Sequence, residues 1–156
     1  MPSKSHLGQP PLNHVVLEVV GGMNGGCGPS LFDFVRLTPD GKSVPGAFRV
    51  PQGQLLIITD VDWQYVHPSH DALAGHIEVL RLFLQPIPAG QDLGVRVFES
   101  TITLSTKGEG GISEGMTAGF VVSSHSRICP DVFPGPTGPP FGLQHLILRG
   151  YLLPAT

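Results

Sequence analysis

The chain has 156 residues, a formal net charge of −3, 40% hydrophobic residues and only 13% charged ones. Its nine Lys and Arg are scattered singly and form no basic stripe, which argues against nucleic acid as a partner. No run of about 18 apolar residues is present to span a membrane.

This length suits one domain with a sizeable core. A mean hydropathy of +0.16 with so little charge leaves a surface rich in uncharged or apolar side chains, part of it suited to burial against other subunits. The N-terminal stretch MPSKSHLGQPPLNHVV lacks the apolar segment of a secretory signal, so the sequence reads as cytoplasmic or exported by a non-classical route. Cys27 and Cys129 belong to no Cys-x-x-Cys pair and read as two separate thiols. The alternative is one bridge across a long loop, which belongs to an oxidising compartment.

The 21 Gly and 16 Pro cut the chain into short runs rich in β-branched and aromatic residues, as sandwiches and barrels require. Residues 1–11 read as an extended arm, and 12–156 as a single β-sandwich domain. Leu12–Val20 is a first strand, Gly21–Pro29 a loop, and Leu31–Thr38 a second strand ending in a Pro39–Lys42 turn. Ala47–Val50 is a short strand leading to a turn at Pro51–Gly53. Gln54–Trp63 has a continuous apolar core, consistent with a central strand covered on both faces. His67–Gly75 is a loop, and His76–Gln85 reads as a strand rather than a helix because Gly75 and Pro86 bound it. Val95–Thr106 places Arg96, Phe98, Ser100, Ile102 and Leu104 on one face. Lys107–Gly111 is a loop, Thr117–Ser123 and Arg127–Val132 are strands, Pro134–Gly142 is irregular, and Gln144–Leu153 closes the domain. The fold class is therefore all-β, an antiparallel sandwich of about eight to ten strands with little or no helix.

Ligand-type side chains are densest between Asp60 and Glu78. Within that unit His67, His70, Asp71 and His76 form a candidate site for a divalent metal such as Zn²⁺, because imidazole and carboxylate are its usual donors. Trp63 and Tyr65, beside Asp60 and Asp62, are a candidate sugar-stacking pair. No catalytic residue emerges: there is no G-x-S-x-G and no phosphate-binding loop. Pro140-Phe-Gly142-Leu-Gln-His145 resembles part of the second cupin motif, and that resemblance implies a metal-dependent enzyme using some of His67, His70, His76 and His145. No H-x-H occurs, and Arg149 stands where that motif has Asn.

Two pieces resemble the C1q/TNF-like jelly roll. Phe48–Ile57 (FRVPQGQLLI) is similar to that family's approach to a central strand, and Arg149–Leu153 (RGYLL) to its closing strand. The resemblance implies a jelly-roll sandwich that associates as a homo-oligomer, a trimer above all, and binds partners through its loops. The apolar residues around Gly150 point the same way, which makes Leu146, Leu148, Tyr151 and Leu153 candidates for the oligomer interface. The functional expectation is a non-enzymatic, self-associating structural or binding module with a protein or glycan ligand and no obligatory cofactor. A cupin-like metal enzyme and a carbohydrate-binding sandwich are the alternatives.

Overall fold

The computed structural model describes residues 13–19, 34–69, 75–87, 94–138 and 141–156, and structural statements below refer to these. Eight strands run through them: β1 (His14–Val19), β2 (Phe34–Leu37), β3 (Gln54–Val66), β4 (Ile77–Pro86), β5 (Val95–Thr103), β6 (Glu109–Ser123), β7 (Ser126–Phe133) and β8 (Gly142–Pro154). The segment with a helix-compatible composition is β4, and no α-helix occurs among the described residues. Ala47–Val50 is not a strand. It carries the chain past β2, where the Phe48 amide donates to the Phe34 carbonyl at 2.7 Å. Of the expected loop Lys107–Gly111, residues 109–111 already belong to β6. The two predicted tight turns form, with Gly41 and Gly53 at φ of 81° and 79°, values that favour glycine.

The strands build two sheets, in the orders β2-β1-β8-β3-β6 and β5-β4-β7, with antiparallel pairing throughout. Leu17, Ile58, Trp63 and Leu148 of the first sheet share one apolar core with Leu80, Leu82, Ile102 and Ile128 of the second. The protein is thus an antiparallel β-sandwich. Burying a leucine or isoleucine of this core fully is worth about 1.5–3 kcal/mol.

Register in β3 depends on one extra residue. In β3 the positions that join the shared core are even-numbered in the first half, Leu56 and Ile58, and odd-numbered in the second, Val61, Trp63 and Tyr65. Strict alternation would send one of these sets outward. A bulge between Ile58 and Asp60 resolves the conflict: β8 pairs Gly150 with Ile58 and Arg149 with Asp60, which leaves Thr59 unopposed. On the other side β6 pairs Phe120 with Ile58 and Gly115 with Asp60, so its own strand is looped out there. Glycine is needed on both flanks. A Cβ at Gly150 would stand 1.9 Å from the Ile57 carbonyl oxygen, and one at Gly119 2.2 Å from that of Ile58. The apolar run of β3 was expected to be covered on both faces. At Leu56, Ile57 and Ile58, all buried, it is, and the bulge adds a change of parity that keeps both halves of the run on the core side.

A smaller irregularity between Leu82 and Phe83 acts on β5. It leaves Ser100 and Ile102 buried and Phe98 packed against the core as the alternation predicts, but Arg96 is exposed.

Cys129, on β7, is 3% exposed and disulfide-bonded, which corrects the reading of two separate thiols. Pairing of cysteines is a matter of space, and a long sequence separation hides it. The chain's other cysteine, Cys27, lies outside the described residues, as do the expected arm at 1–11 and the loop at Gly21–Pro29.

Two outcomes follow for stability. Gly150→Ala is expected to lower the unfolding free energy by about 2–4 kcal/mol because backbone must move to admit the methyl group, read as a reduced urea midpoint by fluorescence of the single tryptophan. Reduction of the disulfide is expected to cost about 2–5 kcal/mol. Thiol titration of the native, unreduced protein checks the premise and should find no reactive cysteine.

Candidate functional site

Two places bring polar or apolar groups together in a way the core does not require: one end of the sandwich, and the outer face of the five-stranded sheet.

At the sandwich end, Trp63 and Tyr65 follow one another on the inner face of β3, with ring centroids 6.5 Å apart in an edge-to-face arrangement. They are 0% and 1% exposed, which rules them out as a stacking platform for a sugar. Period-two alternation puts them in line with Val61 and inside the sandwich. Each polar tip finds a partner, as buried aromatic heteroatoms require. Trp63 Nε1 donates to Ser100 Oγ at 2.9 Å, and the Tyr65 hydroxyl donates to the Pro136 carbonyl at 2.8 Å. Glu78, on the inner face of β4, is buried. It accepts the Gly135 amide at 2.9 Å and lies 3.9 Å from His67 Nε2.

Thr137 completes this end by accepting the Val132 amide and donating to Asp131. Tyr65 and Glu78 therefore clamp the Pro134–Gly142 connection from inside, and Gly135 has no room for a side chain: a Cβ there would lie 2.1 Å from the Tyr65 hydroxyl. The Tyr65 pKa is raised well above its ordinary 10.0, first by burial and then by the Glu78 charge.

Of the proposed metal ligands, His67 pairs with Glu78 and accepts the Ser69 amide on Nδ1 at 3.1 Å. His76 is exposed, and His70 and Asp71 lie outside the described residues. Among those residues no three His, Cys, Asp or Glu side chains are placed to hold a metal ion. His145 sits on the outer face of the other strand pair, with Nε2 3.9 Å from Asp62 Oδ2. His145 thus lies on the face of the first sheet opposite to that of His67.

The outer face of that sheet is built by register. Across it run the rows His14–Tyr151–Ile57–Val121 and Leu153–Leu55–Ser123, followed by Val16–Arg149–Asp60–Gly115 and Glu18–Ile147–Asp62–Ser113. Leu55, Ile147, Tyr151 and Leu153 are half-buried, and Val121 is 48% exposed. Of the four interface candidates, Tyr151 and Leu153 lie on this face. Leu146 and Leu148 are 0% exposed in the core and are unavailable to a partner. Sequence reasoning grouped neighbours of both parities around Gly150 and so missed Leu55, Ile57, Val121 and Ile147, which alternation along β3, β6 and β8 assigns to the same side. In the middle of the face Asp60 opposes Arg149, and the Thr59 hydroxyl donates to Asp60 Oδ2 at 2.7 Å.

Comparison with protein families, with curated proteins and with solved structures gave no match to this chain.

The raised Tyr65 pKa sets a pH dependence. As pH rises past about 10 the unfolded chain releases its tyrosine proton while the folded chain retains it, so this contribution is complete below that pH and declines above it. Tyr65→Phe should flatten the fall of unfolding free energy between about pH 10 and 11, and should cost about 1 kcal/mol at neutral pH through the lost hydrogen bond. Urea titrations of both proteins across that range check it, and identical slopes would contradict it.

Proposed function

We propose that this protein is a non-enzymatic, self-associating β-sandwich of the C1q/TNF-like jelly-roll kind, acting as a structural or binding module. Its copies meet through the outer face of the five-stranded sheet. One observation carries the reading: one end of that face is apolar where an antiparallel sheet usually turns polar side chains to water. Leu55, Val121, Tyr151 and Leu153 form this apolar part around Ile57, which is itself buried.

The charges on the face suit a second copy better than an unrelated partner. Glu18, Asp60 and Asp62 alternate with Arg149 and His145, so a neighbouring copy in a closed ring meets both signs on this face.

The path of the chain supports the jelly-roll part of the reading. Connections pass from one sheet to the other after β3, β5, β6 and β7, and the last strand returns to lie between β1 and β3, as Greek-key winding requires. The two resembling segments also meet in space, since Ile57 and Ile58 of β3 lie against Gly150 and Tyr151 of β8. A disulfide at Cys129 favours an oxidising compartment over the cytosol.

Light scattering on the native protein tests the assembly. The expected result is a trimer, three times the chain mass of 16.5 kDa. Val121→Glu, at a position already half exposed, should give a monomer at about 10 µM with little change in melting temperature, because a buried unpaired charge at each contact opposes association. A monomeric wild-type protein at about 100 µM overturns the reading. A Val121→Glu protein that stays trimeric removes this face as the interface.

A further inference from the structure

The two sheets differ in width. Five strands face three, so the smaller sheet is short by two strand spacings, roughly 10 Å. On the β2 side Phe48 and Val50 make up part of the difference by joining the core. On the β6 side no described residue does so. Ile112 is paired with the core residue Trp63 and shares its inner face, yet it is 38% exposed. Glu114, paired with Val61 on that face, is half-buried and makes no hydrogen bond or ion pair among the described residues. Met116 lies against the same core. The strand of the smaller sheet beside this gap is β5. Its Ser100 accepts the Trp63 hydrogen bond, and its Ile102 side chain lies 3.1 Å from where a Cβ at Gly110 of β6 would stand.

Among the four sheet edges, β5 is also the least guarded. β2 is flanked by residues 44–48, where the Val44 and Phe48 amides donate to the Arg36 and Phe34 carbonyls. β7 contains Pro130, which has no amide hydrogen, and its Val132 amide donates to Thr137 Oγ1. β6 breaks its register between Gly115 and Phe120. β5 pairs with β4 without a break from Phe98 to Thr103 and contains no Gly, Pro or Lys. Among the described residues it pairs with no other strand. Such an edge is a template for one more strand.

We infer that β5 binds an extended peptide of another protein as an added strand, which widens the smaller sheet over β6. Backbone hydrogen bonds along Phe98–Thr103 give the affinity, and alternate side chains give the selectivity. Those turned inward meet Ile112 and Met116, which take apolar residues, and Glu114, which takes Lys or Arg. On the outward side Glu99 is already held by Arg81 and Arg96 and adds no charge preference. This edge lies on the sheet opposite the outer face through which copies meet, so the inference does not depend on that assembly.

The probe is the fluorescein-labelled peptide TVTKTIT, whose Val, Lys and Ile share one face of an extended strand. Added to the full chain in its native assembly, it should bind saturably below about 100 µM by anisotropy, with the peptide TVTETIT at least about tenfold weaker. Glu114→Lys should reverse that order without altering melting temperature or oligomer mass. N-methylation at residues of one parity should abolish binding, and at the other parity change it less than about twofold, because only alternate amides of an added strand face β5. The Val121→Glu protein should bind the probe as the wild type does. No binding at about 1 mM overturns the inference, whether the edge is closed by its own chain or by a second copy. Equal effects of the two N-methylations, or an unchanged order in Glu114→Lys, place the peptide elsewhere and overturn it as well. Loss of binding in Val121→Glu assigns the peptide to the junction between copies instead of to β5.

Discussion

The bulge at Thr59 is the constraint on which the rest of the sandwich depends. β3 lies between β8 and β6 in the larger sheet, and it is long enough that one parity cannot serve both of its halves. The extra residue rotates the second half so that Val61, Trp63 and Tyr65 join Leu56 and Ile58 in the core. The same rotation sends Ile57 and Leu55 outward beside Tyr151 and Leu153, and sends Asp60 and Asp62 outward beside Arg149 and His145. A bulge brings backbone groups close together, and Gly150 and Gly119 are the residues that tolerate the approach. Core, clamp and outer face are therefore consequences of one local geometry.

The two ends of β3 show how that geometry divides the labour. Toward its C-terminal end the inner-face aromatic groups are anchored by directed hydrogen bonds, Trp63 to Ser100 and Tyr65 to Pro136. Buried Glu78 holds the Gly135 amide at the same place. Toward its N-terminal end the strand has no comparable polar partners, and its outward side chains are aliphatic. The first arrangement fixes the conformation of a loop. The second leaves an apolar area that water covers at a cost and another sheet covers without one. That contrast is the physical ground for reading the molecule as an assembling module.

Much of the fold was legible because glycine and proline mark strand limits directly. β4 illustrates it: Gly75 and Pro86 bracket a ten-residue run too short and too flanked by turns to favour a helix. The bulge was not legible, since a single extra residue inside LLIITDVDW leaves the apolar run unbroken and merely looks like a strand buried on both faces. Trp63 and Tyr65 were misjudged for the same reason. Their position next to Asp60 and Asp62 suggested an exposed platform, but period two sets the aromatic pair and the acids on opposite sides. Leu146 and Leu148 were misassigned by grouping on apolarity instead of parity. The disulfide at Cys129 and the burial of Glu78 arise from contacts between distant segments, and no local pattern announces them.

Hydroxyl-radical footprinting as a function of concentration tests the central claim most directly, because it reads both outer faces of the sandwich at once. Tyr151 reports on the five-stranded sheet, and Phe133, 58% exposed on the three-stranded sheet, serves as the internal reference. The account predicts that oxidation of Tyr151 falls at least about threefold between nanomolar and tens of micromolar protein while that of Phe133 stays constant. Equal rates at both residues throughout, or protection of Phe133 in place of Tyr151, would contradict it.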